Sequence, residues 1–522
     1  MRPPGVIPAD TVAERTLRRW ACRDRLGRTQ AGRHERSRCQ DQDSNHYEVD
    51  VFSLLRHPRS RRIRHPWRVS LSCALIGFAA LTGAVGCVGT PTPSERAARS
   101  DVDDVSKRYR PGDAKPELPE LTTASPLADY MRFALLNSPR VEAAYYDWVA
   151  AVEGITPARS LPDPRLTFES DITDSVMSLM PGLMVDLPGP GKLRAAGDVM
   201  AAESRVAYFG FEREILRTAL SVKTAYYRLH FLEETIRVEG ETLRLLADLE
   251  QLAQQQNAAG KVTLQDVLRA QIARDQVETQ ITNLMDSRSA LVAELKAALG
   301  IGPGDADPPS PSTFEPSTGD PRPEDLWSTA LTRNPSLRGM QEDVLRAEAS
   351  LGLARKSGVP DFSLGLEVDV KADPTMFRPS AGMSLPIWRD KIAAEIAGAQ
   401  AGKRAAQARL NAEQVQIAAE LASMLFMYRE SVRNDALLRD KLVPKAKQSL
   451  DAARAGYVNG RAGFLDVIDA QRTLLEFELT GIEARTQREL ALASLSLAIA
   501  GVPPAGAPTL EGGASRPEET HP

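Results

Sequence analysis

The chain has 522 residues, a net charge of −4, 26% charged residues and only 5% aromatics. That balance excludes a nucleic-acid surface, and because the first 70 residues are rich in Arg, the remainder is more acidic still. Cys22, Cys39, Cys73 and Cys87 are the only cysteines, and only His230 and His521 lie beyond Cys87, so the body has no disulfides and lacks the Cys/His set of a transition-metal enzyme.

Residues 1–87 read as an N-terminal extension and an export signal. Arg61, Arg62, Arg64 and Arg68 precede an apolar run from Val69, which ends in small residues and Cys87. The ending Ala84-Val85-Gly86-Cys87 resembles the lipobox of bacterial lipoproteins, although Ala84 stands where that family prefers Leu. The resemblance implies lipidation of Cys87 and, with Val88 next, sorting to the outer membrane. An uncleaved membrane anchor is the alternative. Residues 88–122, rich in Pro, Ser, Thr and charge, predict a flexible tether.

The rest is one unit written twice, 123–300 and 324–501, joined by a Pro-rich linker at 301–323. Gly260, Asp266, Val267 and Gln271 return as Gly460, Asp466, Val467 and Gln471, each 200 residues later. In the first unit the pattern predicts a helix over about 126–159. A switch to period two follows, with Leu166, Phe168 and Ile172 opposite Arg165, Thr167, Glu169, Asp171 and Thr173. A second strand brings Leu183, Val185 and Leu187 to one face. A rod then runs to Ala259, about 100 Å long at 1.5 Å per residue, with Ile215, Val222, Leu229, Ile236 and Leu243 at strict sevens. Gly260 reverses it into a helix ending at Gly300. The second unit repeats the order, with alternating strand residues Phe362 to Val370, a rod expected to bend at Pro444, and a reversal at Gly460. Residues 502–522 read as a disordered tail.

Such a chain is mainly α with a small β part, built of tandem long helical hairpins. Its four strands have the length of membrane-spanning strands, but four cannot close. An open edge in lipid strands several kcal/mol per unpaired backbone group, so a barrel needs more subunits. Two chains give about eight strands and a filled lumen, three give about twelve and an open one. The acidic face favours the 12-stranded barrel.

The tandem layout, the Asn-Pro helix starts Asn137-Ser-Pro139 and Asn334-Pro335, the strand ends Leu187-Pro188 and Leu385-Pro386, and the reversals Gly260…Asp266-Val267 and Gly460…Asp466-Val467 resemble the outer-membrane efflux family of TolC-like channels over about residues 125–501. Leu187-Pro-Gly-Pro-Gly-Lys192 is closer to its heavy-metal cation efflux branch. The resemblance implies a homotrimer with a periplasmic α-barrel and an outer-membrane β-barrel. It also implies a periplasmic adaptor and an inner-membrane pump as partners, with pump-selected small molecules or metal cations as cargo, and needs no cofactor. An exit duct for type I protein secretion and a periplasmic coiled-coil adaptor are the competing readings. Two hairpins and almost no other strands speak against the adaptor.

By the family's pattern Asp466 and Asp469 ring the periplasmic entrance, both on one helix face. Asp266 and Asp466 also fit a helix cap, Thr-x-x-Asp at Thr263, and for Asp266 the cap is the favoured reading. Arg269 is the first-unit counterpart of Asp469, so charge breaks the symmetry there. Tyr457 and Arg461 flank the gate, and Gly260, Lys261 and Gly460 mark the adaptor-contacting reversals. Ala462 stands where some members carry a gating arginine. Glu169, Asp171, Glu367 and Asp369 are expected to line the barrel lumen, with solvated hairpin ends as the alternative. Met177, Met180, Met184, Met376 and Met383 near the strand tips read as packing residues before soft-metal ligands. Catalysis finds no support: Gly189-Pro-Gly191-Lys192 lacks both the spacing and the Ser/Thr of a phosphate loop, and there is no nucleophile elbow.

Overall fold

A computed structural model describes residues 91–109, 117–172, 176–311, 314 and 322–510. The predicted signal, Cys87 and the last twelve residues lie outside them. The order is α1 (Pro93–Ser106), α2 (Leu127–Asn137), α3 (Pro139–Glu153), α4 (Ile155–Arg159), β1 (Arg165–Ile172), β2 (Val176–Leu187), the rod α5 (Lys192–Ala258) and the return α6 (Leu264–Leu299). The second unit follows with α7 (Pro323–Arg333), α8 (Pro335–Arg355), β3 (Phe362–Asp369), β4 (Met376–Met383), α9 (Arg389–Leu437), α10 (Val443–Val458) and α11 (Phe464–Ala493).

The helix expected over 126–159 is broken at Ser138 and Gly154, because Pro139 has no N–H to continue α2 and takes the first position of α3 instead. Pro444 disturbs the second rod as expected. The disturbance takes the form of a π turn at Leu438–Leu442, just before the proline enters the first turn of α10. The seam of sevens holds at Ile215, Val222 and Leu229, all fully buried, and then moves to Val238, Leu246, Leu249 and Ala253. A straight helix drifts about 20° per heptad against a strict seven-residue repeat, and α5 is long enough for that drift to shift the buried stripe.

Two segments expected to be loose are docked. In 88–122, α1 starts on Pro93 with Thr92 Oγ1 accepting from Glu95 N at 3.1 Å. Glu95 is wholly buried against Arg159, Thr156 and Arg99, and the Arg159 guanidinium holds its carboxyl down at about 2. Tyr109 enters an aromatic core with Tyr145, Trp148 and Phe211. Beyond Gly501, Ala507 is buried in the same core and Leu510 N donates to Tyr208 Oη at 3.0 Å. Besides the buried ion pair, α1 and the turn after it lay Ala98, Val102, Val105 and Tyr109 at helical spacing against this core, a short period inside a segment otherwise rich in Pro and charge.

The sheet is antiparallel in the order β1-β2-β3-β4. Its register repeats: Arg165 opposite Met184 becomes Ser363 opposite Gly382, each residue shifted by 198. One face carries Leu166, Phe168, Leu183, Leu364, Leu366 and Phe377. It is uncovered, with Leu166 65%, Phe168 70% and Phe377 67% exposed. The other face carries mostly polar and small residues, with Met180, Met184 and Met376 among them. Thr167, Gly182 and Glu367 share a row in which a Cβ on Gly182 would strike both neighbours.

Candidate functional site

Each rod ends on a glycine in the left-handed region, Gly260 at φ +67° and Gly460 at φ +68°. Gly260 N donates to Asn257 O at 2.9 Å and Lys261 N to Gln256 O at 2.9 Å. In the second copy Gly460 N donates to Tyr457 O at 3.1 Å and Arg461 N to Gly456 O at 2.7 Å. The return helices are then capped by the duplicated aspartates. Thr263 N and Oγ1 donate to Asp266 Oδ2 at 3.2 and 2.9 Å, and Gly463 N donates to Asp466 Oδ2 at 2.8 Å. Both aspartates therefore take the capping role.

One turn further the copies part. Arg269 leans back to Asp266 at 3.5 Å. Asp469 is exposed, and its side chain has no hydrogen bond or ion pair among the described residues. Lys261 and Arg461 are exposed as well. Tyr457 departs from its expected place at the gate, being 3% exposed with its ring edge-on to Phe464 at 5.5 Å. It sits in a core shared by both hairpins, with Leu249, Val267, Leu450 and Val467. Burial and the neighbouring Asp266 push its hydroxyl pKa up. The two reversals are thus one packed tip.

The strands lie at the other end of α5 and α9. Glu169 and Asp171 are exposed, Asp171 accepting from Ser178 Oγ at 3.0 Å, and Glu367 is half-buried. Asp369 does not match the expectation of an open lumen residue. It is buried and accepts from Lys371 N and Ala372 N at 3.1 and 3.2 Å, holding the β3–β4 turn. Met180 is buried, as a packing residue is, whereas Met376 and Met383 are 48% and 54% exposed. Among the described residues no His/Cys/Asp/Glu group is arranged to hold a metal, and no helix is long and apolar enough to cross a membrane.

Sequence reasoning missed the ties that fix this frame. Asn137 Nδ2 donates to Leu299 O and Gly300 O at 3.1 and 3.0 Å, and Asn334 Nδ2 repeats this to Ala498 O and Ile499 O at 3.1 and 3.0 Å. Gly300 and Gly501 sit beside these asparagines at φ +71° and +65°, where a Cβ would strike backbone. The pairing of Asn with a later Gly in both units was the available signal. Lys192 Nζ reaches both oxygens of Asp361 at 2.7 and 2.8 Å, with Gly189 N donating to Asp361 Oδ1 at 2.7 Å, so the first rod is tied to the second unit's strand.

Both units, residues 131–301 and 326–501, match the model of the outer membrane efflux protein family. The chain belongs to that family. It is an efflux protein of the outer membrane, not an enzyme. Its similar proteins include the cobalt-zinc-cadmium resistance protein CzcC of Cupriavidus metallidurans, 25% identical over 62% of this chain and 77% of the relative. The probable outer membrane lipoprotein SilC of Salmonella typhimurium is 24% identical over 58% and 68%. Among solved structures, the CusC channel superposes with a TM-score of 0.64 at 16% identity, over 75% of this chain and 96% of that one. Vibrio cholerae VceC gives 0.61 at 20% identity, over 72% and 96%. The fold is the TolC-like one expected from the repeats.

Proposed function

We propose that the chain is the outer-membrane channel of a tripartite efflux system, a passive conduit from periplasm to exterior. The uncovered apolar face of the sheet carries this reading. Rows of Leu and Phe turned outward on one side, with Thr, Ser, Gly and carboxylates on the other, suit a wall between lipid and water. Four strands with two open edges reach closure as three copies, about twelve strands around an aqueous lumen. The packed tip then points into the periplasm, with Gly260, Lys261 and Gly460 at the adaptor and the pump beyond it. Asp469 is the gate residue, because it lies exposed one turn past the Asp466 cap and is spent on neither a cap nor an ion pair among the described residues. Three such carboxylates around an axis attract cations and resist close approach. Metal cations are the favoured cargo, since the relatives include a cobalt-zinc-cadmium resistance protein and cation efflux proteins. Cys87, once acylated, would anchor the chain to the membrane's inner leaflet. The test is the mass of the purified protein in detergent together with its gel band before and after heating. A heat-sensitive trimer supports the reading, and a detergent-independent monomer refutes it.

A further inference from the structure

β1 and β4 are the edges of the sheet, each with an unpaired row of backbone donors and acceptors. The internal repeat says what these rows fit. A shift of 198 residues carries the β1–β2 register onto the β3–β4 register from Arg165 to Asp171, up to the bulge: Thr167 with Gly182 becomes Gly365 with Ser380, and Glu169 with Met180 becomes Glu367 with Arg378. β2 is therefore the first-unit version of β4, and β3 the second-unit version of β1. The pairing of β2 with β3 inside the chain is a template for β4 meeting β1 of another copy.

We propose that β4 of one copy pairs antiparallel with β1 of the next in the register this shift dictates, setting Ser380 opposite Glu169, Gly382 opposite Thr167 and Arg378 opposite Asp171. This rests on the trimer reading and fixes its seam residue by residue. One consequence and one independent feature agree with it. Sidedness is kept, because Met383 then faces Leu166 and Ala381 faces Phe168 on the apolar side, whereas a one-residue slip would turn every side chain to the wrong face. Charge is matched as well. At the equivalent place in the chain's own seam, Met180 lies beside Asp369, as the bond from Val370 N to Leu179 O at 3.1 Å shows. The seam between copies replaces that methionine with a guanidinium and sets it against a carboxylate. Both groups have capacity left: Arg378 is 49% exposed with Asp369 4.0 Å away, and Asp171 is exposed, accepting from Ser178.

Paired cysteines in the full-length protein test the register. Directly opposed Cβ atoms stand about 4.5–5.5 Å apart, near disulfide range, and positions two residues off stand about 7–8 Å apart. Oxidation of the Glu169→Cys/Ser380→Cys variant is expected to link copies covalently up to three. The Thr167→Cys/Ser380→Cys variant and the single-cysteine controls, all retaining Cys87, are expected to stay unlinked. The reverse preference overturns the register. Separately, Arg378→Asp or Asp171→Arg alone is expected to lower the temperature at which the assembled band dissociates, and the two together to restore it; no restoration overturns the charge pair. If the trimer persists but neither result appears, the seam is wrong and the channel reading stands. A monomer in detergent sinks both.

Discussion

The two units share a backbone plan and differ in what covers them. α5 buries 26 of its 67 residues, α9 only 6 of its 49. α5 packs against α3 and α6 of its own unit and against α8 and α11 of the other, while α9 packs chiefly against α8 and α11 of its own unit and leaves Val415 72% and Phe426 60% exposed. A long helix with an open apolar flank is one that meets a partner. In the proposed trimer, the first unit shows inside one chain the surroundings that the second unit would find beside another copy.

The comparison is sharpest where the units should behave alike. Gly300→Ala and Gly501→Ala each force a left-handed Cβ against backbone, and each is expected to cost about 2–4 kcal/mol in thermal melting of the detergent-solubilised protein. A large loss in one and none in the other would break the equivalence. Glu239 tests a feature of the first rod. It is 4% exposed, its Oε2 has no hydrogen-bond partner among the described residues, and burial pushes its pKa up. The folded state then holds this proton to higher pH than the unfolded chain does. Its contribution is most favourable below the ordinary carboxyl range and falls as pH rises toward the folded pKa. Glu239→Gln is expected to raise the melting temperature at neutral pH and to flatten its dependence in that window; an unchanged slope would contradict this. The caps should differ slightly. Asp266→Ala loses two bonds from Thr263 and the ion pair to Arg269, about 1 kcal/mol, and Asp466→Ala loses one bond from Gly463 and costs less. Amide exchange at the two helix starts measures both.

Much of this frame was legible because its signals are periodic. Repeats of Gly, Asp-Val and Asn-Pro gave the two units, and alternation at Leu166–Phe168 and Phe362–Val370 gave the sheet and its faces. What escaped depends on partners distant in sequence. Asn137 read as a helix start, but its amide closes on Gly300, which only the fold brings near. Tyr457 beside a reversal was expected at the gate, yet the core shared by both hairpins takes it in. Residues 88–122 read as a charged tether, and Arg159 draws one of those charges, Glu95, inside.

The most direct measurement is ion conductance across a planar bilayer, with the reversal potential under a salt gradient, for the wild type, Asp469→Ala and Tyr457→Phe. A channel with an acidic entrance is expected to be cation-selective, with Asp469→Ala raising conductance and lowering cation preference, and Tyr457→Phe, altered only in a buried hydroxyl, matching wild type. Absence of pores from the assembled protein would contradict the channel, and an Asp469→Ala channel with wild-type conductance and selectivity would remove Asp469 from the gate.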